Sequence, residues 1–206
     1  PASLPVEYWK GELEPDTALQ FYYEALEKAS ERVWRDHGVP AQIVGHSIGG
    51  WIARAYLGQL SGPRRTERFS ALVTLGTPHA EPPEGLLRKI DQTRGLLKYV
   101  NSNYPGAAHP EMRYLSVGST AVRGRVFGAG LDGLLGFASY LPLGGDGGAA
   151  GDGICPEACS ILAGAEHRTR AGAHHIAFVP FLGLRLLAVE WYGSDRMADE
   201  WADFLE

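Results

Sequence analysis

A Gly-x-Ser-x-Gly pattern at residues 45–49 constrains the fold of this 206-residue chain more than any other feature. Ahead of it, the short apolar run 41–44 contains β-branched residues and predicts a buried strand. Behind it, residues 51–57 predict a helix that stops at Gly58. Glycines on both sides let the backbone turn sharply without side-chain clash. The pattern therefore predicts a tight strand-to-helix turn with the hydroxyl of Ser47 exposed at its apex.

The rest of the chain alternates between helical patterns and short apolar runs. This alternation predicts an α/β fold, a mostly parallel sheet flanked by helices, in one domain over residues 1–206. The predicted helices are 17–37 and 195–205, and the further strands are 69–75, 112–117 and 167–170. The buried face of the first helix is predicted from apolar spacing to contain Leu19, Tyr22, Leu26, Ala29 and Val33.

Two segments interrupt the alternation. Residues 81–111 form an excursion with a helical middle bounded by prolines. Residues 119–150 are rich in glycine with apolar residues interleaved, and they are predicted to be the least regular part of the chain. Such a glycine-hinged segment suits a lid over an apolar substrate, and a poorly ordered insertion is the alternative.

Composition and charge limit the class of partner. The hydrophobic content of 45% and the charged content of 21% are ordinary for a globular protein. A net charge of −5 gives no electrostatic reason to expect nucleic acid as a partner. Two cysteines, Cys155 and Cys159, are too few for a disulfide framework or a zinc site. Two buried thiols are expected, with a local bridge as the alternative that their spacing allows.

Ser47 has candidate chemical partners downstream. A serine hydroxyl is a poor nucleophile at neutral pH, so it needs a base within hydrogen-bond reach and a group that orients this base. Asp152 and His175 follow Ser47 in the order nucleophile, acid, histidine, at sites that each follow a predicted strand. His175 would take the Ser47 proton, and Asp152 would fix the imidazole tautomer. The N–H of Ile48, at a helix start, would face a developing oxyanion.

The base has rivals among the other histidines. His174 is adjacent to His175 and is its direct alternative. His46 is too close to Ser47 in sequence to act, and we expect it to pack beside the turn. His79 follows the strand 69–75 and is expected to line the site. The residues assigned to the turn and the site lining are Gly45, His46, Gly49 and His79.

The acid has rivals as well. Asp132 and Asp146 lie in the glycine-rich segment, where the backbone offers little to hold a side chain in place. Asp152 precedes an apolar run that could anchor it, which favours Asp152.

Three blocks of the sequence resemble the signatures of α/β-hydrolase lipases. Residues 45–50 read Gly-His-Ser-Ile-Gly-Gly, residues 75–79 read Leu-Gly-Thr-Pro-His, and residues 151–156 read Gly-Asp-Gly-Ile-Cys-Pro. The resemblance is strongest to the triacylglycerol-lipase and GPI inositol-deacylase-like group of cyanobacteria and plastid-bearing organisms. It covers roughly residues 15–206, including Trp-Tyr-Gly-Ser at 191–194. Aligning Gly172 with the glycine before the family's histidine selects His175 over His174.

The resemblance implies an α/β-hydrolase fold and a serine hydrolase that cleaves carboxylic esters, with lipid esters expected, through an acyl-enzyme. It implies no metal or organic cofactor. It is compatible with a soluble or membrane-peripheral protein, of plastid or cyanobacterial-cytoplasmic type. Acyl transfer to an alcohol other than water would use the same residues.

The sequence departs from the family in two places. The family begins with a strand and a loop that supplies a second oxyanion donor, and nothing before Leu4 corresponds to them, so we expect an N-terminally incomplete domain. Residues 176–189 are apolar where the family carries a more polar loop, which favours contact with a membrane surface or a protein. Pro180 and Arg185 argue against a membrane span. The departures motivate an alternative function, a catalytically weak or inactive hydrolase-fold subunit that acts as an interaction protein.

Overall fold

The computed structural model describes residues 14–84, 91, 93–128, 130–181 and 185–206, in which helices and strands alternate. The helices are α1 (Pro15–His37), α2 (Ile48–Gln59), α3 (Gly62–Arg68), α4 (Leu96–Asn103), α5 (Gly130–Gly144) and α6 (Asp195–Ala202). The strands are β1 (Ala41–His46), β2 (Phe69–Leu75), β3 (Arg113–Ser119), β4 (Val122–Arg123), β5 (Ala150–Gly151), β6 (Glu166–Arg170), β7 (Phe178–Phe181) and β8 (Arg185–Ala188).

Four strands form a parallel sheet in the order β1-β2-β3-β6, as the alternating pattern predicts. In the register of the three strands β1, β2 and β3, Val44 lies opposite Val73 and Val73 lies opposite Leu115. Because all four strands are parallel, the segments that follow them meet at one edge of the sheet. The turn at Ser47, the segment after β2 and the segment after β6 are therefore brought to the same edge.

The sheet is covered on both faces. Because side chains alternate along a strand, Leu72 points into one core and Val73 into the other. The first core is formed with α1, α2 and α4, and the second with α6. The predicted apolar face of the last helix is confirmed, since the residues packed in the second core include Met197, Trp201, Phe204 and Leu205.

Helix α1 ends where the sequence predicts, and its buried face departs from the prediction at Tyr22. Gly38 has φ 68° and donates its N–H to the carbonyl of Trp34, which terminates the helix. Leu19 is buried as expected, but Tyr22 is 43% exposed and Tyr23 is buried instead. The ring of Tyr23 lies 5.8 Å from that of Tyr56 on α2, so the partner helix decides which tyrosine is buried.

In the glycine-rich segment, Gly130–Gly144 forms a helix, and the prediction of an irregular segment is wrong for these residues. Strands β4 and β5 pair in antiparallel fashion at its base, and α5 lies between them. Tyr140 on α5 is fully buried and donates its hydroxyl to the carbonyl of Val122, 3.1 Å away. Tertiary packing of this kind outweighs the low helix propensity of glycine.

The segments 81–111 and 176–189 contain further regular structure. In the 81–111 excursion, α4 forms the second half of the predicted helical middle, and residues 86–90 lie outside the described residues. The apolar segment 176–189 contains an antiparallel hairpin of β7 and β8, with Phe178 opposite Ala188. Across the described ranges, none of the helices combines the length and the apolar character that crossing a bilayer requires.

Candidate active site

Ser47 stands on a strained turn between β1 and α2, as the pattern predicts. Its φ of 55° and ψ of −131° lie outside the regions that a side-chain-bearing residue prefers, at a cost on the order of 1–3 kcal/mol. Its N–H donates to the carbonyl of Leu75 at the end of β2, 3.0 Å away. Among the non-glycine residues that the structure describes, Arg94 is the other one with positive φ. Such strain is typical of functional turns.

The glycines around Ser47 do not all have the same role. A Cβ at Gly45 would lie 2.6 Å from the Cα of Gly50, and a Cβ at Gly50 would overlap the Thr77 hydroxyl. A Cβ at Gly49 would meet nothing within 4 Å. The close approach therefore requires glycine at 45, as predicted, and at 50, whereas the last glycine of the pattern, Gly49, is sterically unconstrained.

The structure brings Ser47, His175 and Asp152 together. The Nε2 atom of His175 lies 3.0 Å from the Ser47 hydroxyl oxygen, and its Nδ1 atom lies 2.8 Å from Oδ2 of Asp152. Because a carboxylate only accepts, Nδ1–H donates to Asp152, which leaves Nε2 free to accept the serine proton. The backbone N–H of His175 also donates to the carbonyl of Asp152.

The carboxylate of Asp152 is 1% exposed and accepts hydrogen bonds at both oxygens. Its Oδ1 receives the backbone N–H groups of Ile154 at 2.9 Å and of Cys155 at 2.6 Å. Its Oδ2 receives the hydroxyl of Tyr192 at 3.1 Å besides the imidazole. Sequence reasoning missed Tyr192, although its place in the Trp-Tyr-Gly-Ser block was an available signal.

Cys155 and Cys159 are both free and buried, which confirms the prediction of two buried thiols. Burial raises the pKa of the Cys155 thiol well above its ordinary value, with the charge of Asp152 as the next cause. Burial raises the pKa of Cys159 to about 11. Both thiols are therefore protonated near pH 7.

Gly76, directly after β2, is a second residue that sequence reasoning missed. It has φ 55°, and a Cβ there would lie 2.5 Å from Oδ2 of Asp152 and 3.1 Å from Nδ1 of His175. The same atom would lie 2.7 Å from the ring of Tyr192. A glycine at the strand end thus leaves the space in which these three side chains meet.

His46 packs beside the turn, as expected. Its ring centroid lies 4.6 Å from that of His175 and 5.8 Å from that of Trp191. Burial lowers the pKa of His46, and the neighbouring imidazole of His175 lowers it further. A neutral ring therefore covers one side of His175 at pH 7.

His79 lies in the interior, beside Arg54 and Thr74. Its Nδ1 lies 3.2 Å from Nη1 of Arg54, and its Nε2 lies 3.0 Å from the hydroxyl of Thr74. The cavity that it borders is lined by Ala80, Asn101, Leu162 and others, but by none of Ser47, Asp152 and His175. That His79 lines the site therefore stays a prediction.

The rival residues are engaged elsewhere. Nδ1 of His174 lies 3.3 Å from the carbonyl of Glu190. The ring of His174 therefore does not take the place that His175 occupies between Ser47 and Asp152. Asp146 is exposed and accepts the N–H of Gly148 within its own turn. Asp132 lies on α5 and lines a cavity beside His175, without the bonds to the imidazole that Asp152 makes.

That cavity, of about 90 Å³, lies against His175. It lies between α5 and the segments that carry the acid and the histidine, and it is partly open to solvent. Its apolar walls are formed by Val122, Leu135, Ile154 and Ile176, and its polar groups include Asp132, Ser139 and His174. The large side chains of Leu134, Ile154 and Ile176 are between 40% and 48% exposed. Within the described part of the chain, no group of three or more His, Cys, Asp or Glu side chains could hold a metal ion.

Comparison with known proteins adds evidence on the fold. No protein-family model and no curated protein matches the sequence. The mature form of lipase BlEst2 from Bacillus licheniformis is similar in structure, with a TM-score of 0.52 and 19% identity over 76% of this chain and 67% of that chain. The propeptide form gives a TM-score of 0.52 and 18% identity, over 76% of this chain and only 36% of that chain. With its parallel sheet, flanking helices and serine turn, this chain has the α/β-hydrolase fold.

Proposed function

We propose that this protein is a serine hydrolase that cleaves carboxylic esters, with Ser47 as nucleophile, His175 as general base and Asp152 as the acid that orients the base. The observation that carries the proposal is the position of the His175 ring, 3.0 Å from the serine hydroxyl and 2.8 Å from the carboxylate. A serine needs this pair of partners to act as a nucleophile near pH 7. The α/β-hydrolase fold supports the proposal as an analogy only.

The reaction proceeds in two halves. Ser47 Oγ attacks the ester carbonyl carbon while Nε2 of His175 takes the hydroxyl proton. The bond to the alcohol oxygen then breaks, Nε2 returns the proton to that oxygen, and an acyl ester of Ser47 remains. In the second half, water gives a proton to Nε2 and attacks the acyl carbon, which releases the carboxylic acid and restores the serine. Asp152 stabilises the imidazolium in both halves.

The tetrahedral oxyanion is stabilised by the N–H of Ile48 at the start of α2. The first amides of a helix have no intrahelical partner, and the helix dipole favours negative charge at this end. One such donor contributes on the order of a hundredfold to turnover.

The substrate is an ester with an apolar chain, which makes lipid esters the expected class. The support is the mainly apolar cavity against His175, whose wall includes the half-exposed side chains of Ile154 and Ile176. The blocks shared with the triacylglycerol-lipase and GPI inositol-deacylase-like group agree with this class, and the similar BlEst2 is a lipase. The 119–150 segment, with α5, serves as the lid-like cover of this side of the domain.

Contact with a membrane surface or a protein through residues 176–189 is part of the same proposal. Its support is the exposure of Ile176 and Phe178, which are 48% and 50% exposed. Apolar side chains at this density beside an active site suit contact with an apolar surface.

The test is labelling with a fluorophosphonate probe, read by intact mass, together with hydrolysis of p-nitrophenyl butyrate. We expect one adduct on the wild type and none on Ser47→Ala, with hydrolysis lost in the same variant. If the folded wild-type protein never reacted with the probe, the proposed hydrolase activity would be refuted. The alternative of an inactive hydrolase-fold subunit that acts as an interaction protein would then remain. Product analysis with a second alcohol present separates hydrolysis from acyl transfer.

A further inference from the structure

Among the described residues, no Lys or Arg side chain forms an ion pair with the buried carboxylate of Asp152. Among the ion pairs of the described residues, its partner is His175. The other titratable groups that face it are each uncharged near pH 7, because burial raises the pKa of the tyrosines and of the thiol and lowers that of the histidine. These groups are Tyr140, Tyr192, Cys155 and His46. A buried charge without a fixed counter-ion depends on hydrogen bonds.

The two oxygens of this carboxylate are held differently. Oδ1 is held by two backbone N–H groups, those of Ile154 and Cys155, within its own turn. Oδ2 is the oxygen that receives Nδ1–H of His175, and Tyr192 supplies the other hydrogen bond to the same atom. The turn therefore anchors one oxygen, and Tyr192 fixes the one that the reaction uses.

Tyr192 is itself rigidly held. Its side chain is 1% exposed and packs in the second core beside Met197. Its carbonyl accepts the indole N–H of Trp201 at 2.9 Å, which ties its backbone to α6. Gly76 provides the room for its ring, since a Cβ there would lie 2.7 Å from it. A hydroxyl on so constrained a ring defines the position of its acceptor.

We propose that Tyr192 is a positioning residue, whose hydroxyl holds Oδ2 of Asp152 in the direction that keeps the His175 imidazole aligned with Ser47 through the reaction. The inference rests on the proposed ester hydrolysis. It assigns Tyr192 no contact with the substrate. The hydroxyl acts only through Asp152.

The variant Tyr192→Phe removes the hydroxyl and keeps the ring. We expect kcat to fall about tenfold with KM unchanged, because a hydrogen bond to a charged group is lost at the orienting acid and not in the substrate site. We also expect the acid limb of the kcat/KM profile to move to higher pH by roughly half a unit. A carboxylate with one donor fewer stabilises the imidazolium more strongly.

The matched control is Tyr56→Phe. Tyr56 is also buried, and its hydroxyl also donates to a carboxylate, that of Glu27 on α1. This variant should lose stability while kcat and the pH profile stay at wild-type values. Equal changes in both variants would mean that Tyr192 is merely structural, and an unchanged kcat and profile in folded Tyr192→Phe would overturn the proposal.

Nuclear magnetic resonance on the wild-type protein tests the position of the Tyr192 hydroxyl without any variant and without measuring ester hydrolysis. With histidine labelled with nitrogen-15, we expect a nuclear Overhauser effect between the Nδ1–H of His175 and the hydroxyl proton of Tyr192, because both bind Oδ2. Its presence supports the positioning contact even if no ester is cleaved, which separates this inference from the proposed function. Its absence in a sample with both protons observed would overturn the inference.

Discussion

His79 and Arg54 are paired in the interior without a carboxylate between them. Nδ1 of His79 lies 3.2 Å from Nη1 of Arg54, and the two side chains are 5% and 3% exposed. Because a guanidinium only donates, Nδ1 is an acceptor, and Nε2–H donates to the hydroxyl of Thr74. Burial, and then the charge of Arg54, lowers the pKa of His79 to about 3. The ring is neutral throughout the range in which the folded protein would be assayed.

This pair predicts that the protein loses stability in mild acid. In the unfolded chain His79 binds a proton below about pH 6.5, whereas in the folded chain it stays neutral down to about pH 3. The free energy of unfolding therefore falls as the pH falls from about 6.5 to about 3. The slope from this residue is at most about 1.4 kcal/mol per pH unit. Urea unfolding at pH 7 and pH 5 measures it. His79→Gln should flatten the dependence, and the exposed His37→Gln should leave it unchanged; identical slopes in both would contradict this explanation.

The glycines of the serine turn make a second prediction. Gly45→Ala should prevent the turn from closing, since its Cβ would overlap the backbone of Gly50, which cannot move aside. We expect a lower melting temperature and loss of fluorophosphonate labelling. Gly49→Ala should label at the wild-type rate and gain up to about 1 kcal/mol of helix stability. If both variants behaved alike, the distinction between the two positions would be wrong.

The variant Gly76→Ala tests whether Asp152, His175 and Tyr192 need the space that the missing side chain of Gly76 leaves between them. The new methyl group would lie 2.5 Å from Oδ2 of Asp152 at a backbone φ of 55°, so either the carboxylate or the strand end must shift. We expect ester hydrolysis to fall by about a hundredfold or more. Gly62→Ala is the control, because its nearest neighbour would be 4.0 Å away. Wild-type kinetics in Gly76→Ala would argue against so crowded a site.

Leu135 tests whether the cavity beside His175 binds the substrate. Leu135→Ala removes an apolar wall that is 40% exposed, so we expect KM for an apolar ester to rise about fivefold with little change in kcat. Leu134, in the same turn of α5 and 44% exposed, does not line the cavity. Leu134→Ala is therefore expected to keep the wild-type KM. A larger effect from Leu134 would place the substrate elsewhere.

The features that local sequence determines could be predicted. A short apolar run followed by Gly-x-Ser-x-Gly specifies β1, the turn and α2 within one continuous stretch, and the runs at β2, β3 and β6 are predicted in the same way. The order of Ser47, Asp152 and His175 also follows from reading along the chain. Ser47 comes after β1 and His175 after β6 of the parallel sheet, whereas Asp152 follows the short antiparallel strand β5.

What could not be predicted depends on contacts between distant segments. Helix α5 contains several glycines, and only its packing through Tyr140 makes it a helix. The choice of Tyr23 over Tyr22 as the buried residue depends on Tyr56 in α2. Tyr192 and Gly76 lie against Asp152 because the chain folds them there, and the Trp-Tyr-Gly-Ser block indicates Tyr192 without indicating that contact.

The antiparallel pairing of β4 with β5 connects the 119–150 segment directly to Asp152. Asp152 follows β5 directly, and the hydroxyl of Tyr140 on α5 accepts the N–H of Gly153 at 2.7 Å. A movement of α5 away from the domain would therefore displace Gly151 and Gly153, the residues on both sides of Asp152. The same hydrogen bond holds Gly153 in place, so the 119–150 segment braces the turn that carries the Asp152 carboxylate.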